Sequence, residues 1–256
     1  MTGPDIVRAP NRLRPAYRFY RWAWTGLDLL YPPHCGGCGT AGARWCVSCQ
    51  ANTLSVSPPV CERCGQRLAN GRLCQECLVS PPAYLALRSW AVFEGPLRQA
   101  MHRLKYAGDM ALGEILARPL IKLFMETNWP VNLVTPVPMG IVRRAERGYN
   151  QAALLAWPLA LSCNLAYRPK ALSKIRETRS QVGLNRDERR NNVLGAFRAD
   201  PDLVHHRTVL VVDDVTTSGA TMQTCAEALL AAGAEQVYGL TLARAFHIPE
   251  PKQSLG

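Results

Sequence analysis

Two adjacent carboxylates are the feature of this sequence that most clearly carries chemistry. Asp213 and Asp214 follow the apolar run 209–212, which predicts a buried parallel strand. A loop of small hydroxyl residues with one glycine comes next, and the Ala-rich segment from Thr221 to Ala232 then predicts a helix. An ordinary strand, turn and helix, with Asp214 and Thr216 as turn and capping residues, is one interpretation of this pattern.

A second interpretation of the same segment is a binding site. Ligands of open α/β sheets bind at the carboxyl ends of the strands, and backbone N–H groups at a helix start bind phosphate. Carboxylates hold sugar hydroxyls directly or through a divalent metal. Because acids, hydroxyl loop, glycine and helix occur together, we favour a site for a phosphorylated sugar, with the phosphate on the loop and the ribose on the acids.

These residues resemble the 5-phosphoribosyl-1-pyrophosphate (PRPP) motif of the type I phosphoribosyltransferases. The resemblance implies that Asp213 and Asp214, the acidic pair, hold the ribose hydroxyls together with Mg²⁺. It also implies that the phosphate loop wraps the 5′-phosphate. That loop consists of Thr216, Thr217, Ser218, Gly219, Ala220 and Thr221. Thr217 stands where purine-salvage relatives often have a carboxylate that exchanges a proton with the acceptor base, so a purine-salvage reaction is disfavoured. The sequence identifies no catalytic base and no acceptor.

An arginine-rich segment follows another predicted strand, Val131–Val137. It carries Arg143, Arg144 and Arg147, whose guanidinium groups fit phosphate oxygens, and then Gly148, which we predict to open a helix. Type I phosphoribosyltransferases bind pyrophosphate on a loop in this place. A solvated basic loop with Arg/Glu pairs is the alternative.

A third polar segment, Ser173–Arg198, precedes the strand of the acidic pair and is rich in arginine. In type I phosphoribosyltransferases a mobile loop in this place closes over the pyrophosphate and excludes water. We predict that Lys174, Arg176 and Arg179 belong to such a loop. A charged surface helix is the alternative.

Four Cys-x-x-Cys pairs lie in the first third of the chain. Two such turns complete one tetrahedral four-sulfur shell, which favours two structural zinc ions over disulfides in a reducing compartment. Redox dithiols and an iron–sulfur cluster are the alternatives to zinc. We predict sequential pairing, in two tandem ribbons each with a tight hairpin, and a cross-braced arrangement is the alternative. The ligands are Cys35, Cys38, Cys46 and Cys49 for the first ion, and Cys61, Cys64, Cys74 and Cys77 for the second.

Strand and helix patterns alternate through the rest of the chain, which predicts an α/β fold with a mainly parallel sheet. Besides the strands already named, Leu87–Phe93 and Gln236–Ala243 have strand patterns. Further helices are predicted at Gly95–Tyr106, at Ala111–Glu126 with a kink or interruption near Pro119, and at Tyr149–Asn164 with a bend at Pro158. Proline pairs at 58–59 and 81–82 punctuate the ribbons.

The predicted organisation is a basic aromatic segment (1–30), a double zinc ribbon (31–80), a phosphoribosyltransferase-like domain (81–248) and a tail (249–256). The net charge of +11 attracts polyanions without choosing among nucleic acid, anionic lipid and phosphorylated small molecules. The first segment interleaves aromatic and arginine residues, a mixture that suits a membrane surface, stacked single-stranded nucleic acid or docking on its own protein. No segment reaches membrane-spanning length and no secretory cleavage site is apparent, so we predict a cytoplasmic protein.

Taken in order along residues 27–244, the motifs resemble one family, the ComF/GntX proteins. The motifs are Leu29–Cys35, the doubled ribbon, Leu104–Asp109, Arg147–Gln151, Arg179–Leu184, Asn192–Phe197 and the PRPP motif. The resemblance implies a type I phosphoribosyltransferase fold and an accessory role in DNA uptake or utilisation. It implies that PRPP with Mg²⁺, single-stranded DNA and the DNA-uptake or helicase machinery are partners. An active transferase with an unknown acceptor, and a PRPP-sensing regulator without chemistry, are the alternatives.

Overall fold

The computed structural model describes residues 15–30, 32–176 and 195–246. Its helices are α1 (Pro15–Leu30), α2 (Val47–Ala51), α3 (Gln75–Val79), α4 (Gly95–Tyr106), α5 (Leu112–Thr127), α6 (Ile141–Arg147), α7 (Gln151–Cys163), α8 (Pro201–Val204) and α9 (Ala220–Ala231). Its strands are β1 (Ala86–Val92), β2 (Leu133–Pro136), β3 (Ala166–Tyr167), β4 (Leu172–Lys174), β5 (Phe197–Ala199), β6 (Thr208–Thr216) and β7 (Gln236–Arg244).

A five-stranded parallel sheet in the order β1-β7-β6-β2-β3 forms the centre of the fold, and β4 and β5 form a separate antiparallel pair. Residues of β6 alternate between two cores: Leu210 and Val212 pack with α5 and α7, while Val209 and Val211 pack with α9. Because both faces are covered, residues 209–212 of the strand are continuously apolar rather than alternating. The predicted α/β class and mainly parallel sheet are confirmed.

Most of the predicted elements occur within one or two residues of their expected bounds, and α4 has the expected bounds. Pro119 lies inside α5, which continues through it as one helix, so the predicted interruption is absent. The helix expected to start at Tyr149 starts at Gln151. The Asn150 side chain accepts a hydrogen bond from the Ala152 N–H and so caps the start of this helix.

The cysteine-rich region lies along the free edge of β1. The Val56 N–H donates to the Trp90 carbonyl at 2.9 Å, and the Val92 N–H donates to the Leu54 carbonyl at 2.8 Å. Further along, the Leu87 N–H donates to the Arg63 carbonyl at 2.7 Å. These bonds occupy backbone groups that an edge strand otherwise leaves open to unwanted pairing, so the ribbons protect the edge of the sheet.

Helix α1 docks on the same protein through part of its aromatic face. Tyr17 is buried and its hydroxyl donates to Glu114 of α5 at 3.4 Å. The ring of Tyr20 meets that of Trp157 on α7 edge-on, with centroids 4.8 Å apart. Phe19 and Trp22 remain exposed. Docking of this segment, one of the three interpretations of its sequence, is therefore observed for α1.

Within the described ranges, no helix combines the length and apolar character needed to cross a bilayer.

Candidate functional site

The acidic pair lies in the carboxyl-terminal half of β6, the strand at the centre of the sheet. Both side chains are partly buried, and each accepts a hydrogen bond from the next backbone N–H: Asp214 N to Asp213 Oδ1 at 2.8 Å and Val215 N to Asp214 Oδ1 at 2.7 Å. Burial, followed by the charge of Asp214, raises the pKa of Asp213 well above its ordinary value. The two carboxylates therefore repel each other at a partly buried position. This repulsion favours the binding of a cation close to them.

Lys105 supplies such a cation. Its Nζ lies 2.7 Å from Asp214 Oδ2, and the side chains are only 22% and 14% exposed. Burial lowers the pKa of Lys105, but the charge of Asp214 and the hydrogen bond to it outweigh burial, and the net pKa is raised. The lysine is therefore protonated at neutral pH and forms a real ion pair with Asp214.

The phosphate loop connects β6 to α9. Thr216 is still part of β6: it is buried, and its carbonyl accepts the Ala245 N–H at 2.9 Å. Ala220 and Thr221 form the first turn of α9, which places the actual turn at 217–219. The Ser218 hydroxyl accepts the Ala220 N–H at 3.4 Å. The N-terminus of α9 thus follows the carboxyl end of β6 after a turn of three residues.

The arginine-rich segment is a short helix rather than a loop. Arg143, Arg144 and Arg147 all belong to α6. The prediction that Gly148 opens a helix is wrong: Gly148 ends α6 with φ +77°, and its N–H donates to the Arg144 carbonyl at 2.9 Å. A left-handed residue after the last helical turn is a usual helix end, and glycine adopts it without steric cost.

One cavity brings together residues of all the predicted ligand-binding segments. It encloses about 1220 Å³ at the carboxyl ends of β2 and β6. Its lining includes Asp213, Asp214, Thr217, Thr221, Arg143, Arg147 and Lys174. Among the described residues, Thr216, Ser218, Gly219, Ala220, Arg144, Gly148 and Arg176 are not part of this lining. The pairing of Asp214 with Lys105 therefore does not close the site, because a volume sufficient for a phosphorylated sugar remains.

The predicted mobile loop is placed only in part. Lys174 ends β4 and faces the cavity, and Arg176 follows it. Arg179 and the rest of 177–194 lie outside the described residues. The mobility of this segment stays a prediction.

Several residues that line the cavity were not predicted from the sequence. They are Phe93, Arg98, His102, Lys105, Tyr106, Asn150 and Gln151. Arg147 lies over the ring of Tyr106 at 4.8 Å, and the Tyr149 hydroxyl donates to the Leu104 carbonyl at 2.6 Å. These contacts attach the end of α4 to α6 and to the start of α7. The sequence predicted α4 as a helix and its last residues as part of the Leu104–Asp109 motif, but it attached no ligand role to either.

The eight cysteines of the ribbons form two clusters in sequential order. Cys35, Cys38, Cys46 and Cys49 make the first cluster, and Cys61, Cys64, Cys74 and Cys77 make the second. The four sulfur atoms of each cluster lie within 4.8 Å of one another, and the Cys38–Cys46 and Cys64–Cys74 sulfur atoms are 3.7 Å apart. Four Zn–S bonds of about 2.3 Å in a tetrahedron require a sulfur separation of about 3.8 Å, so both clusters fit zinc.

Each cluster uses the same local structure. The first Cys-x-x-Cys pair sits in a turn closed by an antiparallel bridge, His34 to Ala41 or Val60 to Arg67. The second pair sits at the start of α2 or α3, with Cys46 or Cys74 as the residue before the helix. The sequential pairing is confirmed and the cross-braced alternative is wrong. With four sulfur ligands each, the sites have no open position and are structural.

Comparison with known families assigns both parts of the chain. Residues 26–78 match the double zinc ribbon domain, and residues 113–254 match the phosphoribosyl transferase domain. The chain therefore belongs to the phosphoribosyl transferase domain family, in a form that carries a double zinc ribbon ahead of it.

Curated relatives place the chain more narrowly. DNA utilization protein YhgH of Salmonella typhimurium is 32% identical over 205 residues, which are 78% of this chain and 89% of the relative. Competence protein F of Haemophilus influenzae is 29% identical over a match that covers 83% of this chain and 96% of the relative. Competence protein ComFC of Bacillus subtilis is 25% identical over a match that covers 86% of this chain and 89% of the relative. The resemblance to the ComF/GntX family is confirmed.

Proposed function

We propose that the chain binds PRPP or a related phosphoribosyl ligand with Mg²⁺ in the cavity at the end of β6. The observation that carries the proposal is the convergence of the acidic pair, of Thr217 and Thr221 at the start of α9, and of two arginines of α6 on one cavity of about 1220 Å³. In this arrangement the acidic pair binds ribose hydroxyls and the metal, the start of α9 binds the 5′-phosphate, and Arg143 and Arg147 bind the pyrophosphate.

The same groups account for the chemical preference of the site. Carboxylate oxygens are the ligands that Mg²⁺ prefers, and the metal would bring compensating charge to the acidic pair and to the ligand's phosphates. Guanidinium groups bind phosphate oxygens through two parallel hydrogen bonds, which lysine does not match. A ligand that carries a ribose and phosphate groups therefore suits a cavity that combines a carboxylate pair with Arg143 and Arg147.

We further propose that the protein acts in DNA uptake or utilisation and binds single-stranded DNA. The names of the relatives and the net charge of +11 support this role. The DNA-uptake or helicase machinery would deliver the strand, and the ribbons or the arginine-rich surfaces would hold it. The role belongs in the cytoplasm, where thiols stay reduced and zinc can fill both clusters.

The test of the ligand site is calorimetric titration of the full chain with PRPP in the presence of Mg²⁺. We expect saturable binding, and we expect Asp213→Asn with Asp214→Asn to abolish it. The matched control is Glu126→Gln with Glu227→Gln, which removes two negative charges from exposed positions on α5 and α9. Unchanged PRPP affinity in the Asp213/Asp214 variant would refute the site.

The test of DNA binding is the fluorescence anisotropy of a labelled oligo-dT single strand over a series of salt concentrations. We expect the logarithm of the affinity to fall linearly with the logarithm of the salt concentration, because phosphate contacts release counterions. The Asp213/Asp214 variant should retain this binding if the ligand site and the DNA surface are separate. A parallel assay of pyrophosphate release with candidate acceptors distinguishes a transferase from a protein that only binds its ligand.

A further inference from the structure

The ion pair between Lys105 and Asp214 connects two elements that are distant in the sequence and belong to different motifs. Asp214 is on β6, and Lys105 is the penultimate residue of α4. The neighbours of Lys105 are both tethered: Leu104 by the Tyr149 hydroxyl at 2.6 Å, and Tyr106 by the Arg147 guanidinium at 4.8 Å. The helix end that carries the lysine is thus held beside the acidic pair by α6 and by the start of α7.

The charges around this contact constrain what else the acidic pair can bind. A single ammonium balances only one of the two carboxylates. A divalent cation on the same oxygens would balance both, and it would then lie against the ammonium of Lys105. Two cations cannot share one partly buried carboxylate oxygen without strong repulsion, so lysine and metal compete for Asp214.

The cavity offers Lys105 a second position. Lys105 lines the same space as Arg143 and Arg147, the arginines to which we assign the pyrophosphate. A lysine carries its charge on a flexible four-carbon stem, so its amine can turn from one partner to another while the helix stays in place. Phosphoryl oxygens in this space would be strong acceptors for it.

We propose that Lys105 is the exchangeable cation of the acidic pair: it neutralises Asp214 in the ligand-free protein and turns to a phosphoryl oxygen of the ligand when a divalent metal replaces it. The second half of this statement rests on the proposed function, because it needs a phosphorylated ligand. The first half depends only on the ion pair. Lys105 is thus a competitor of the metal and a binding residue for the ligand.

Removing the charge of Lys105 should have opposite effects on the affinity for the metal and on the affinity for the ligand. Loss of a lysine with a purely structural role would not have this pair of effects. In Lys105→Met the competing charge is gone, so Mn²⁺ alone should bind about tenfold more tightly. PRPP in the presence of Mg²⁺ should bind at least about tenfold more weakly, because a charge-assisted hydrogen bond is lost. Lys105→Arg keeps the charge and should keep the wild-type Mn²⁺ affinity.

The control variant is Lys122→Met, which removes the same charge from an exposed position on α5. Mn²⁺ binding is measured by the paramagnetic resonance of free Mn²⁺, and PRPP binding by calorimetry. We expect Lys122→Met to match the wild type in both. Weaker or unchanged Mn²⁺ binding in Lys105→Met would overturn the proposal. Lys105→Met could bind Mn²⁺ more tightly while even the wild-type chain fails to bind PRPP. That result would support the competition between Lys105 and the metal and would refute PRPP as the ligand.

A measurement on the wild-type chain keeps the test independent of whether the variant folds. Brief acetylation with acetic anhydride, read at each lysine by mass spectrometry, reports which amines are engaged. We expect Mn²⁺ alone to increase the labelling of Lys105 severalfold, and PRPP with Mg²⁺ to reduce it again, while Lys122 stays constant in the same spectra. Labelling of Lys105 that does not respond to Mn²⁺ would overturn the exchange.

Discussion

Arg244 donates a hydrogen bond through Nη2 to the backbone carbonyl of Cys64, and so connects the last residue of β7 with a ligand of the second zinc site. Arg244 is only 4% exposed, and on its other side β7 pairs it with Thr216 of β6. Burial lowers the pKa of this arginine, and the charge of Cys64 opposes that effect. A buried cation next to a zinc ion with four thiolates is electrostatically reasonable, because such a centre carries a net negative charge.

Removing this cation should loosen the second ribbon. We expect Arg244→Met to lower the free energy of unfolding by about 1.5–3 kcal/mol, the usual value of a hydrogen bond to a charged group. It should also speed the loss of zinc to a colorimetric chelator. Urea denaturation and chelator kinetics measure the two effects.

The control for this variant is Arg72→Met in the same ribbon. Arg72 forms an exposed ion pair with Glu62 at 2.6 Å, and exposed pairs stabilise proteins little. If Arg72→Met and Arg244→Met proved equally harmful, the special role of the buried arginine would be disproved.

The second ribbon also packs closely against the sheet at the glycine that follows Cys64, and we expect this close packing to require a glycine there. Gly65 has φ +73°, and an added Cβ would lie 2.5 Å from the Leu87 carbonyl oxygen of β1. Gly39 is the corresponding residue of the first ribbon, with φ +79° and no atom within 4 Å of such a Cβ. Gly39→Ala should cost roughly 1–2 kcal/mol for the left-handed conformation alone.

Gly65→Ala carries the same conformational cost together with a backbone clash. We expect it to destabilise the chain by about 1–3 kcal/mol beyond Gly39→Ala, as measured by urea denaturation of the two variants side by side. Equal destabilisation would mean that the ribbon can move away from β1 at no cost.

Features that depend on local sequence could be predicted well. The period and length of the segment from Gly95 to Tyr106 were sufficient to set the bounds of α4. The short spacing within each set of four cysteines favoured sequential pairing, because a nearby pair closes a smaller loop than a distant one. The strand of the acidic pair was recognised because its apolar run is buried on both faces.

Features that depend on tertiary packing could not be predicted. Lys105 lies far from Asp214 in the chain, and its motif contains no signal that α4 ends beside β6. The segment of Arg143 to Arg147 has no apolar face of its own, since no residue of α6 is buried, and it therefore resembled a loop. Gly148 was assigned to the wrong end of a helix because a glycine between two helical segments is compatible with either end.

Zinc removal should affect the two ribbons separately. We expect two zinc ions per chain by plasma mass spectrometry, one in Cys49→Ser and one in Cys77→Ser, because each site is a closed four-sulfur shell. Loss of the second ion should also expose the edge of β1, seen as faster amide exchange at Leu87, which donates to Arg63 of that ribbon. One ion per wild-type chain would contradict the two independent clusters.

A buried amide in the cavity provides a test that separates stability from ligand binding. Gln151 is 3% exposed and lines the cavity, and its Nε2 has no hydrogen-bond partner among the described residues. An unsatisfied buried donor costs about 1–3 kcal/mol, so Gln151→Leu should raise the free energy of unfolding by about 1 kcal/mol. The same variant should weaken PRPP binding if the amide donates to the ligand.

Thr135→Val is the matched control for the glutamine. The Thr135 hydroxyl is also buried, and it too lacks a hydrogen-bond partner within the described part of the chain, but Thr135 lies within β2 and is not part of the cavity lining. Both variants should therefore stabilise the chain in thermal denaturation, and only Gln151→Leu should lower the PRPP affinity measured by calorimetry. A Gln151→Leu protein that gains stability and keeps full affinity would show that the amide does not contact the ligand. Stability gained together with weaker binding is the result expected of a polar group that donates its hydrogen bond to the ligand.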